Sequence, residues 1–288
     1  MKALKFIINS NILIAFAAVS LTLASQVQLG MTPQPELYMM IIFFATLLDY
    51  NFHRLITLNN RPGNRLAEKY YWAAAHLPLL KTLIAVSIAG LGITLLLASA
   101  RVIIFLGLMA MLTLFYSIPA YRKSGISSRF LKIPGIKTLL IAFVWTAVTV
   151  FLPIIQSGIP ANTNQILLLF AERLIYIFAI AIPFDIRDMK NDELAGLRTI
   201  PLAFGEKTAR KISNIALLFS LSIAIFHYTD LNMIFIIPAY VSCIIVSLAL
   251  INIRKLAGLT NYYHGLLDGS ILLFGILIGL SYYFKAYF

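Results

Sequence analysis

The chain is poor in charge. Only 12% of its 288 residues are Asp, Glu, Lys or Arg, about half the share of an ordinary soluble domain. With 60% hydrophobic residues, it cannot cover itself with a water-compatible surface, and it reads as a polytopic membrane protein. Cysteine is nearly missing too. The one copy, Cys243, excludes an intrachain disulfide and reports nothing about redox compartment. Apolar alternation, the mark of membrane β-strands, is absent, so the spanning segments must be helical. There is no soluble basic module, so the net charge of +12 does not point to nucleic acid.

Against this background stand nine apolar runs, at about 6–24, 36–56, 80–99, 101–119, 136–156, 165–184, 212–228, 232–253 and 265–287. Stretches of about 20 apolar residues span a bilayer as helices, so the expected fold is an all-α bundle of about nine transmembrane helices. Alternate loops hold 20 of the 23 Lys and Arg residues. The positive-inside rule then puts the N-terminus and the polar loops in the cytoplasm. Met1–Leu29 has the build of a signal peptide, but the charge map fits when this stretch is counted as the first span. No linker or low-complexity segment divides the chain, so 1–288 reads as one domain.

Acids are scarcer than bases, 11 against 23, which makes their placement informative. Asp185, Asp188 and Asp192 follow the apolar run that ends at Phe184. Their i, i+3, i+7 spacing stacks three carboxylates on one helical face. Like charges so placed repel, and more so beside a bilayer, unless a cation lies among them or the helix end is merely solvated. Mg²⁺ is the cation that one or two carboxylates hold together with phosphate oxygens and water. Lys123, Lys132, Lys137 and Arg198 flank these helix ends and are the expected charge-assisted contacts for phosphate. Glu172 and Arg173 lie deep in the same apolar run, where each must find a partner on another helix. Asp268, beside His264 at i, i+4, sits nearer the polar end.

The segment Asp185-Ile-Arg-Asp-Met-Lys-Asn-Asp192-Glu-Leu-Ala-Gly196-Leu-Arg198-Thr199-Ile-Pro201-Leu-Ala-Phe-Gly205 resembles the second Asp-rich motif and following loop of the UbiA superfamily of intramembrane prenyltransferases. Tyr116-Ser-Ile-Pro119, a basic loop, and Gly135-Ile-Lys137 entering the run with Trp145 are similar to the family's stretch between its fourth and fifth helices. The resemblance implies a polyprenyl diphosphate donor, bridging Mg²⁺ on Asp185, Asp188 and Asp192, and a lipophilic, usually aromatic, acceptor. It also implies a site facing the cytoplasm of a bacterial-type inner membrane, in contact with membrane lipids. Tyr116, Trp145, Asn51 and Asp268 are the expected contacts of the prenyl chain or acceptor.

The chain departs from the family at its first motif, an Asn-Asp-x-x-Asp-x-x-x-Asp pattern. The corresponding stretch, Leu47-Leu-Asp49-Tyr-Asn51-Phe-His53-Arg54-Leu-Ile56, keeps Asp49, with Phe52 and Ile56 where further acids belong. Asp49 joins the catalytic set, and His53 and Arg54 become candidate replacements of metal by fixed cations. A transferase with fewer metal ions and a non-catalytic or transport-like isoprenoid-binding protein both fit this pattern.

Overall fold

The computed structural model describes residues 2–60, 68–117, 133–158, 162–259 and 261–287. Its elements are α1 (Lys2–Asn9), α2 (Ile12–Gln28), α3 (Leu37–Asn60), α4 (Glu68–Ala75), α5 (Leu77–Leu96), α6 (Ala100–Ser117), α7 (Ile136–Ser157), α8 (Thr163–Leu194), α9 (Ile200–Phe204), α10 (Glu206–Asp230), α11 (Ile237–Asn252), α12 (Arg254–Ala257) and α13 (Asp268–Ser281). A π-helical turn, Tyr262–Leu267, leads directly into α13. Among the described residues the regular structure is entirely helical, as expected where lipid offers no partner to a backbone amide. Seven helices are long and apolar enough to cross a membrane, or eight when α1 and α2 count as one bent span, while Ala100–Leu114 is a shorter apolar helix. Every apolar run of the sequence thus carries helix, but fewer than the expected nine have the length of a full span. The chain is an integral membrane protein.

The helix α2 is the hub. Ala15, Ala17, Ala18, Ser20, Ala24 and Ser25 are all buried on it, and it packs against α3, α7 and α13. Small residues let membrane helices approach closely, where dispersion between backbones replaces the missing hydrophobic drive. The closest approach is to α13: a Cβ on Gly275 would lie 2.3 Å from the backbone and hydroxyl of Ser20. From α7 the bundle continues through α8, α10 and α11 back to α13. Pro183 in α8 has no N–H to offer the carbonyl of Ala179, and the hydroxyl of Ser213 on α10 donates to that carbonyl at 2.7 Å.

The expected continuous first helix is broken, and the reason lies forty residues downstream. Asn11 adopts a left-handed conformation at φ 63°, and α1 turns 74° away from α2. Such a break strands carbonyls at the end of α1. The α3 helix supplies their donors: Asn51 Nδ2 donates to the carbonyl of Ser10 at 3.1 Å and Arg54 Nη1 to that of Asn9. Asn51 and Arg54 also bond the side chain of Asn11, at 3.0 Å and 2.8 Å. Arg54 is therefore first a clasp on a broken helix.

At the far end of the bundle the two deep charges find partners across helices. Arg173 donates to the carbonyl of Leu21 at 3.1 Å and to Gln28. Glu172 accepts from Gln28 at 2.9 Å and from Tyr228, with His227 3.3 Å away. The network ties α2, α8 and α10 together about 20 Å along the helix from Asp185, at 1.5 Å per residue.

Removing the clasp should cost stability. Arg54→Ala removes the donors to the Asn9 carbonyl and to the buried Asn11 side chain, a loss of about 1–3 kcal/mol, and should lower the Tm of the detergent-purified protein by several degrees. An unchanged Tm would show that the break holds without Arg54.

Candidate functional site

The α8 helix delivers the acids. It ends where Gly196, at φ 69°, closes a Schellman turn: the amide of Leu197 donates to the carbonyl of Asp192 at 2.9 Å and that of Gly196 to Glu193 at 2.9 Å. Glycine is the residue that tolerates this conformation. Leu197 is buried against Ile136 and Leu140 of α7, which docks the last turn of α8 beside the first turn of α7.

That docking sets the electrostatics. Lys137, in the first turn of α7, places its ammonium 2.9 Å and 3.1 Å from the two oxygens of Asp192 and 3.9 Å from Asp185. The neighbouring hydroxyl of Thr138 donates to Asp185. Asp185 and Asp192 are buried, 4% and 6% exposed, so each would be costly without these partners. Asp188 takes a different cation: Arg187 Nε and Nη2 donate to its two oxygens at 3.0 Å and 2.7 Å. The Arg187 guanidinium lies 5.2 Å from the ring centre of Phe184 and 4.8 Å from that of Tyr263, an arrangement in which cation and ring quadrupole attract.

These groups open onto one cavity of about 390 Å³. Its polar wall holds Asp49, His53, Arg54, Lys137, Asp185, Arg187, Asp188, His264 and Asp268, and its apolar wall includes Ile14, Trp145, Ile177, Ile180 and Ile271. Trp145 meets Tyr50 edge-on, with ring centres 6.4 Å apart. A charged head beside an apolar floor is the form expected of a site for a lipid with a polar headgroup.

The sequence-derived residues divide clearly. Asp49, Asp185, Asp188, His53, Arg54, Lys137, Trp145 and Asp268 come together in the cavity. Asp192 stands behind it, turned to Lys137. Asn51 is fully buried in the α1–α2 clasp, and Arg198 is exposed on the loop after α8; neither lines the cavity. Lys123, Lys132 and the side chain of Tyr116 lie outside the described residues. Among the described residues no three His, Cys, Asp or Glu side chains converge as a ready metal cage.

On α3 the cavity is lined by Asp49, Tyr50, His53, Arg54 and Thr57. Phe52 is 46% exposed and points elsewhere, and Ile56 is not on the wall. The stretch therefore faces the site in a different register from the one its sequence first suggests. Asp49 and His53, 3.5 Å apart, have the i, i+4 spacing of the last two acids of the family pattern. Arg187 and His264 were under-read in the sequence. Arg187 looks like one more basic loop residue, and the only hint of its role is that an aromatic, Phe184, lies three positions before it.

The profile of the UbiA prenyltransferase family matches residues 78–267, about two thirds of the chain. The chain belongs to that family. The UbiA match begins after α3, the helix that carries the altered first motif. Among solved structures, the fold is similar to that of an apo UbiA homologue from Aeropyrum pernix K1, with a TM-score of 0.65 and 14% identity over 94% of this chain and 98% of that one. It is also similar to a structure from work on digeranylgeranylglyceryl phosphate synthase in membranes, with a TM-score of 0.53 and 15% identity over 99% of each chain. No curated protein matches the sequence.

Lys137 sets one positive charge against two buried acids, so its loss should be felt beyond the helix it starts. In a prenyl-transfer assay, Lys137→Met should raise the KM of the donor or lower turnover at least tenfold, a difference of about 1.4 kcal/mol. If both kinetic constants stay at parental values, Lys137 serves topology alone.

Proposed function

We propose that the protein transfers a polyprenyl group from its diphosphate to a lipophilic acceptor inside the membrane, as a single prenyltransferase domain whose cavity faces the cytoplasm of a bacterial inner membrane. The observation that carries this reading is the joining of acids, cations and an apolar floor in one cavity at the polar end of α8. Members of the family generally use divalent metal ions. Asp185 and Asp188 give the cavity two carboxylates, and that donor set suits Mg²⁺, which takes one or two acids and fills its remaining positions with phosphate oxygens and water. When bound there, Mg²⁺ would supply Lewis-acid neutralisation of the leaving diphosphate.

The protein's own groups divide the remaining work. Asp192 keeps Lys137 at the edge of the cavity, where its ammonium can reach a phosphate as a mobile point charge. Asp49 and His53 form the opposite polar wall. The prenyl chain belongs along Trp145, Ile177, Ile180 and Ile271, where water is excluded and an aromatic face can stabilise positive charge at the reacting carbon. Arg54, committed to the N-terminal break, contributes one edge of the wall.

A second reading, a binder of isoprenoid lipids without turnover, draws on α3, where Asp49 is the sole acid on the cavity wall. Release of diphosphate on mixing with donor, Mg²⁺ and membrane extract separates the two readings.

The metal role has its own test. With pyrophosphate at about 100 times its Kd, the parent should gain about 2.7 kcal/mol of stability and show a raised Tm only when Mg²⁺ is present. Asp188→Ala should lose that Mg²⁺-dependent shift while keeping its basal Tm within a few degrees. Equal shifts in both proteins would remove Asp188 from the metal site.

A further inference from the structure

His264 and Asp268 line the cavity and are used by nothing described so far. The π-helical turn Tyr262–Leu267, a geometry common at functional positions, carries His264 at the start of α13. There Nδ1 lies 3.3 Å from Asp268 Oδ2, and Nε2 lies 3.3 Å from Arg187 Nη1. These two neighbours fix the proton. A carboxylate only accepts and a guanidinium only donates, so Nδ1 carries the hydrogen and Nε2 keeps its lone pair. Asp268 is well buried, its side chain 7% exposed, whereas that of His264 is 26% exposed and reaches the cavity. Arg187 in turn is held in place by both oxygens of Asp188 and by the rings of Phe184 and Tyr263.

We propose that His264, oriented by Asp268, is the proton acceptor for a hydroxyl-bearing acceptor, alcohol or phenol, seated between His264 and Arg187. The proposal rests on the transferase reading and assigns the acceptor's side of it. The hydroxyl oxygen accepts from Arg187 Nη1 and donates to His264 Nε2. In the reaction the bond between the prenyl C1 and the diphosphate oxygen breaks, and its electron pair leaves with the diphosphate. The acceptor oxygen forms the new bond to C1 and its proton passes to Nε2. The imidazolium so formed is stabilised by the Asp268 carboxylate until water takes the proton. Nothing is oxidised or reduced.

The arrangement has the parts of a positioned general base: reach to the cavity, a fixed tautomer and a buried orienting acid. Arg187 adds a donor aimed at the attacking oxygen. The Asp188–Arg187–His264–Asp268 chain also links the acids of α8 to the acceptor position on α13, so both halves of the reaction are held on one rigid seam.

The test uses the full chain in lipid nanodiscs with Mg²⁺, geranylgeranyl diphosphate as donor, and four acceptors: a long-chain alcohol, an alkyl phenol and the methyl ether of each. The parent should form product with a hydroxyl acceptor and none with the ethers. His264→Ala should lower kcat about 100-fold, within the range of a general base, while its Kd for the donor stays within twofold of the parent. His264→Gln, which preserves size and polarity, should be as slow, and added imidazole should restore part of the turnover of His264→Ala. Asp268→Asn should show a smaller loss. The proposal is overturned if either His264 variant keeps the parental kcat, or if donor affinity falls as steeply as kcat, which marks a structural role. Product from the ethers, or none from either hydroxyl acceptor in a donor-binding parent, also overturns it. A parent that binds no donor with Mg²⁺ present would instead sink the transferase reading itself.

Discussion

A carboxylate at the edge of hydrocarbon persists only if something answers its charge, and the ion pair between Lys137 and the acids of α8 does most of that answering here. One ammonium lies within 4 Å of Asp185 and Asp192 together. Without it, two buried acids a turn or two apart would repel with little water to screen them. The pair depends on backbone events at both ends. Gly196 stops α8 so that Leu197 packs on α7, and α7 begins at Gly135 so that Lys137 falls in its first turn. Helix ends, loop closure and site electrostatics are thus one structure, and the cavity wall follows from them.

The opposite wall is built by another logic. On α3 His53 and Arg54 line the cavity, and Arg54 has a second, structural task. Arg54 and Asn51 spend their hydrogen bonds on the break between α1 and α2. Backbone carbonyls stranded in an apolar setting cost as much as a lost hydrogen bond, and here the Asn51 amide meets that of Ser10 while the Arg54 guanidinium meets that of Asn9 and the Asn11 side chain. The same residues place Asn11 on the cavity wall, so the clasp shapes the site without offering it a free charge. That the UbiA match starts after α3 agrees with a helix whose motif has been turned to a different structural task.

The helical runs, the one-face placement of Asp185 and Asp188 and the cross-helix pairing of Glu172 and Arg173 were legible in the sequence, because each follows from local periodicity or from the cost of charge in lipid. The break at Ser10–Asn11 was not. Asn9-Ser10-Asn11 interrupts the apolar run, but a short polar stretch does not say that the helix bends there, and the donors that permit the break lie on α3. Nor was the split among the three α8 acids. Spacing puts them on one face, but Asp192 is turned away by a lysine that precedes it by 55 positions. The facing register of α3 was misjudged for a related reason: motif spacing fixes which residues share a face, and tertiary packing fixes where that face looks. Arg187 carried no periodic signal at all, since its importance comes from two rings and a histidine, two of the three on a distant segment.

The cavity wall carries four carboxylates, Asp49, Asp185, Asp188 and Asp268, against three permanent cations, Arg54, Lys137 and Arg187. With both histidines neutral it is formally negative by one charge, a poor reception for a polyanion. A diphosphate arriving alone could gain Lys137 only by taking it from Asp192, which is buried, and a buried acid stripped of its partner costs about 3–5 kcal/mol. A diphosphate arriving with divalent cations changes the balance. The acids gain a new partner as the lysine becomes free for phosphate oxygens, while Arg187 stays on its rings and toward His264. On the proposed transferase reading, this pairing is what holds the wall together until a metal-bound diphosphate arrives. An equally apolar cavity lined by unpaired cations would bind the diphosphate without metal and would have little need of acids on α8.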